Sequence, residues 1–127
     1  MPMVEISNGE LIDKWTILIL KTLFLTDKGA LINIERELCE LSVQRLEMLQ
    51  KFNGLQRLED DLYTINKKLW YVEDALRIEE RNGTFGDDFV DLARSVYKYN
   101  DERARIKKEI NTLTNSTIVE EKSYEKY

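Results

Sequence analysis

Leu58, Leu62, Ile65, Leu69, Val72 and Leu76 recur at alternating spacings of four and three residues. A seam of this period places every apolar side chain on one side of a long α-helix, whereas a strand would send alternate residues to opposite faces. The stretch from Leu55 to Arg81 is therefore a helix that needs another helix along its length. Beside the seam runs a second stripe at the same period, Tyr63, Asn66, Trp70, Glu73 and Arg77, aromatic and polar where the first is aliphatic.

The remaining chain supplies the partners. Ser7-Asn8-Gly9-Glu10 fits a capping box, in which Ser7 accepts from the Glu10 amide while the Glu10 carboxylate reaches back to the amide of Ser7. Apolar residues then cover nearly the whole circumference from Leu11 to Leu25, which predicts a first helix packed on several sides. Asp27 is placed to cap a second helix, Lys28 to Phe52. Leu31, Ile34, Leu38, Leu41, Met48 and Phe52 hold its heptad places, Arg45 fills one of them and asks for a partner, and Cys39 is expected as a small core residue. Asn53-Gly54 is a helix-stop signal, and the successive threes from Phe52 to Leu55 to Leu58 slip the seam there. Two helices are expected, with one helix kinked at Gly54 as the alternative. Asn82-Gly83 closes the third helix. Asp87 is expected to cap a fourth that runs to Leu113, with Leu92, Val96, Tyr99, Arg103, Ile106, Ile110 and Leu113 on one stripe.

One proline and five glycines in 127 residues agree with a chain that is helical almost throughout. The expected fold is all-α, an antiparallel bundle of four helices with the second to fourth long and coiled-coil-like. Residues 1–127 form a single domain, and residues 115–127 a partly ordered tail. The three long helices each run roughly 36 to 42 Å, more seam than one short bundle can cover. A homodimer or larger is therefore expected, with a protein partner as the other way to cover the seams.

A net charge of -5 speaks against nucleic acid as the main partner. The most apolar run, Ile17 to Leu25, is too short to span a bilayer, and Glu5, Glu10 and Asp13 stand where a signal peptide would be basic, so no membrane is implied. The lone Cys39 suits a reducing compartment, which points to the cytoplasm, or the host cytoplasm if the chain is phage-encoded. The absence of histidine removes the commonest general base near neutral pH and the commonest nitrogen ligand of zinc. Glu37 and Glu40 make one acidic pair of the kind that holds magnesium in all-α nucleotide pyrophosphohydrolases, but the second pair is missing. No catalytic residue, metal or cofactor is assigned.

The polar stripe on the third helix has a counterpart on the fourth, where Tyr97, Asn100, Arg103, Lys107 and Asn111 recur at threes and fours. The first helix adds Glu10, Lys14 and Lys21 on one side. If these stripes converge, Glu10, Lys14, Trp70, Glu73, Arg77, Tyr97, Asn100 and Arg103 line a cleft between the first, third and fourth helices. Paired cations, carboxamides, an acid and a Trp wall suit an anion or a sugar. The plainer reading of the same residues is a set of interhelical ion pairs and hydrogen bonds that fix register.

Gly9-Glu10-Leu11-Ile12-Asp13-Lys14, Leu69-Trp70 with Glu73-Asp74, Leu92-Ala93-Arg94-Ser95-Val96-Tyr97, Asn100-Asp101-Glu102-Arg103-Ala104 and Glu120-Glu121-Lys122-Ser123-Tyr124 resemble an uncharacterised family, a domain of unknown function, of short helical proteins from bacteria and tailed phages. The resemblance spans nearly the whole chain and implies no established activity, only a hint of sugar-related context. The short junction between the second and third helices departs from it, since a longer linker is expected there. The favoured function is a non-enzymatic module for self-association or partner docking. The alternative is a small-molecule binding protein or small enzyme, taking an anion or nucleotide sugar in the polar cleft.

Overall fold

A computed structural model describes residues 1–127. Four helices follow in order: α1 (Asn8–Phe24), α2 (Lys28–Lys51), α3 (Leu55–Asn82) and α4 (Asp87–Leu113). They make up 76% of the chain, no residue lies in a strand, and the packing is that of a four-helix bundle.

The boundaries follow local chemistry. The Ser7 hydroxyl accepts from the Glu10 amide at 3.0 Å, and the Asp27 carboxylate accepts from the Ala30 amide at 2.8 Å, which satisfies donors a helix start leaves open. Gly54 and Gly83 adopt positive φ, +91° and +67°, a region where a side chain is strained, so α2 and α3 are separate helices and α3 ends where Asn82-Gly83 predicts. Two caps differ from expectation. The Glu10 carboxylate turns away from Ser7 to Lys107 of α4, because an ion pair with a cation is stronger than a bond to one amide. At α4 the cap position is Gly86, with no side-chain bond, and Asp87 lies inside the first turn with Asp88, where both still favour the positive end of the helix dipole.

The core joins α1, the start of α3 and the end of α4: Leu11, Ile12, Leu55, Leu58, Leu62, Ile65, Ile106 and Ile110 form one buried cluster. α1 packs on all three other helices, as its all-round apolar pattern requires, while α3 and α4 share the most extensive interface. Burial along the α3 seam is uneven. No residue of α3 beyond Asn66 is buried, and none of α4 before Ile106. The reason is length: α1 is 17 residues against 28 in α3, and its last residue, Phe24, stacks on Trp70 with ring centres 5.0 Å apart.

α2 lies along the outside, with Ile34 its single buried residue. Arg45 finds the partner its seam position demands: Nε donates to Glu59 of α3 at 2.7 Å, Nη2 to the other carboxylate oxygen, and the guanidinium lies 4.4 Å from the centre of the Trp15 ring. Cys39 is exposed, not a core residue, because α2 meets the bundle along one narrow stripe and Cys39 sits on another.

Candidate functional site

The first turn of α1 presses directly on α4. A Cβ at Gly9 would lie 2.5 Å from the Lys107 carbonyl oxygen and 3.0 Å from Asn111 Oδ1, so hydrogen alone fits there. The approach lets the Gly9 amide donate to Asn111 Oδ1 at 2.7 Å. Asn8 Nδ2 donates to Thr114 Oγ1 at 2.9 Å, and the Ser7 hydroxyl donates to Glu120 at 2.7 Å. One turn further, Lys107 Nζ donates to Glu10 at 2.6 Å.

Asp13 is the centre of this interface and has no exposed surface. Arg103 grips its carboxylate with two bonds, Nε to Oδ1 at 3.0 Å and Nη2 to Oδ2. Asn66 Nδ2 donates at 2.9 Å both to Asp13 Oδ1 and to Thr16 Oγ1, and the Thr16 hydroxyl donates to the Asp13 carbonyl at 2.8 Å. Three helices thus converge on one carboxylate. Donation to the Asp13 carboxylate, helped by the charges of Asp13 and Glu10, outweighs burial and raises Arg103 further above the ordinary arginine value, so its charge is permanent.

Arg103 borders two grooves. One, of about 440 Å³ between α1 and α2, holds Glu10, Lys14, Lys21 and the acids Glu37 and Glu40. The other, of about 560 Å³ between α1, α3 and α4, is walled by Trp70 and carries Glu73, Arg77 and Asn100. The expected cleft is therefore two grooves with Arg103 between them. Trp70, Glu73, Arg77, Asn100 and Arg103 come together, and Glu10 and Lys14 lie next door. Tyr97 lies outside both grooves: it is exposed, its ring meets Tyr127 of the tail at 5.0 Å, and with Asn100 it borders a third groove, of about 350 Å³, against the tail. Most of the expected charges already have partners, since Arg77 pairs with Glu73 on its own helix at 2.7 Å, Lys107 with Glu10, and Arg103 with Asp13.

Sequence reasoning passed over Asp13 as a site residue, although a signal exists. Gly9, Asp13, Thr16 and Leu20 follow a four-three-four spacing and are all buried, so an acid on this seam calls for a seam cation, and Arg103 stands on the matching stripe of α4. A further groove, of about 730 Å³ between the N-terminal segment, the end of α2 and residues 114–118, had no signal, because it is made by segments far apart in the chain. No group of three or more acidic, Cys or His side chains is arranged to hold a metal ion, and no helix is long and apolar enough to cross a membrane.

No curated protein and no solved structure matches the chain. A family of unknown function, DUF6165, matches residues 2–127, and the chain belongs to that family.

Proposed function

We propose that the protein is a non-enzymatic helical module, cytoplasmic, that works by docking on a protein partner or by associating with copies of itself. The observation that carries this reading is the apolar surface left open. On α2, Ile32, Val43 and Leu46 are more than half exposed and share a stripe with Cys39. At the far end of the α3–α4 hairpin, Ile78, Phe85 and Val90 are exposed as well. Gathered apolar surface of this kind marks interaction sites. The polar residues support the same reading, since Arg103 and Lys107 spend their charges on Asp13 and Glu10 of α1, joining helix to helix, and Arg77 spends its own on Glu73.

The second reading, a groove for an anion or nucleotide sugar, rests on Trp70, Asn100 and Arg103 sharing one groove. Sedimentation and fluorescence separate the two. The module reading expects a dimer or larger at high micromolar concentration, reduced to monomer by Ile78→Lys with Val90→Lys, or, for the docking form, a monomer without ligand response. In a Trp15→Phe background, saturable quenching of Trp70 by a phosphorylated sugar or nucleotide sugar, abolished by Asn100→Leu, overturns it.

A further inference from the structure

The outer face of α2 has a heptad register of its own. Ile32, Cys39 and Leu46 occupy one core position of the repeat and Arg36 and Val43 the other, on the side of the helix turned from the bundle. The rows that flank such a stripe choose the partner in helix pairing. Here one flank carries Glu40 and Glu47 and the other carries Lys28 and Glu35, all exposed, with Glu40 also bordering the groove that holds Lys14 and Lys21. None of these carboxylates joins an ion pair within the chain, whereas the acids that do are elsewhere: Asp13, Glu59, Glu73, Asp101, Glu102 and Glu109 among them. Arg45, which might have balanced them, is turned inward to Glu59.

We infer that this face is a docking site for a basic amphipathic helix of a partner protein, an apolar stripe flanked by Lys or Arg. The inference rests on the docking form of the module reading. A second copy of α2 is a poor occupant in either direction. Parallel pairing sets Glu35 against Glu40 of the other copy, and antiparallel pairing brings the Glu40 and Glu47 rows together, so like charges meet at the positions that decide pairing. A basic helix meets the apolar stripe with its own and supplies cations to Glu35, Glu40 and Glu47, which no cation of this chain pairs.

The test uses the full chain and two synthetic three-heptad peptides with Leu at both core positions, one with Lys and one with Glu in the flanking rows. Fluorescence anisotropy is expected to show saturable binding of the Lys peptide that weakens as salt is added. Val43→Ser with Leu46→Ser should weaken it at least tenfold. Glu40→Lys with Glu47→Lys should turn the preference to the Glu peptide, a reversal that adhesion to a generally acidic protein would not give. Binding of neither peptide, or binding unmoved by these variants, overturns the inference. Self-association that Leu46→Ser abolishes overturns it too, yet leaves the module reading standing. Ligand quenching of Trp70 would instead overturn the module reading itself.

Discussion

The two ends of the α3–α4 hairpin carry the same kind of sequence and have different physical fates. At the closed end, Leu58 and Leu62 face Ile106 and Ile110 beneath α1, and the polar groups of the interface, Asp13, Asn66 and Asn111, are buried and bonded. At the open end, Leu69, Val72 and Leu76 continue the seam, but α4 is the main cover and every residue keeps solvent contact. A heptad pattern therefore states that a helix wants company without stating how many neighbours it receives. Burial, and with it the energetic weight of each residue, is decided by where the short helix α1 stops.

The comparison is tested most strongly at the ion pairs. Asp13→Ala should cost ~3 to 5 kcal/mol, because it leaves Arg103 partly buried without its counter-charge, whereas Glu73→Ala, which breaks an exposed pair on one helix, should cost under ~0.5 kcal/mol. Urea titration of both variants would break the contrast if the two values came out alike. Apolar truncation comes next. Leu62→Ala at the closed end should destabilise by ~2 to 5 kcal/mol, and Leu76→Ala at the open end by about 1 kcal/mol, since less apolar area leaves water there. Equal losses would mean that the open end is covered in solution, as a dimer through that end would require.

Glycines give a smaller effect of the same form. Gly9→Ala drives a methyl into the Lys107 carbonyl and should cost ~1 to 3 kcal/mol. Gly86→Ala, with no atom within 4 Å of the new methyl, should cost only the preference for Gly over Ala at a helix cap, about 0.5 to 1 kcal/mol. A thermal melt of Gly9→Ala matching that of the parent would refute the close approach of α1 and α4.

The smallest effect concerns the tail. Hydrogen bonds from Lys122 and then Tyr127 hold the Asp101 carboxyl below the ordinary 3.8, and the bond to Asp101 raises the Tyr127 phenol above the ordinary 10.0. A lowered acid contributes fully above its ordinary value and loses that contribution as pH falls through the lowered one. A raised phenol contributes below its ordinary value and loses it as pH rises through the raised one. The tail should thus stay docked on α4 between these limits and loosen on either side. Ring resonances of Tyr127 followed by NMR across pH check this, and shifts that stay constant into strong acid would refute it.

Much of the fold was legible because its cues are local. Gly54 and Gly83 punctuate the chain where backbone geometry demands it, Asp27 caps α2, and Arg45 announced its need for Glu59 by standing on a seam. The site was legible in part. Periodicity selected Trp70, Glu73, Arg77, Asn100 and Arg103, which do share a groove, but it also admitted Tyr97, because a stripe on one helix says nothing about where the neighbouring helix lies. Cys39 was misplaced for the same reason, since an apolar position on an outer helix is buried along one face alone.

The sequence by itself determined four helices, their ends and the faces that seek cover, because capping, turn chemistry and heptad period act within a few residues of one another. Tertiary structure alone decided which faces are covered and what each charge does. Asp13 is a surface acid or the pin of three helices depending on whether Gly9 lets α1 come close enough to α4 for Arg103 to reach it. That distance is set by packing between segments some ninety residues apart, and Coulomb and hydrogen-bond energies, which fall steeply with separation and exposure, follow from it.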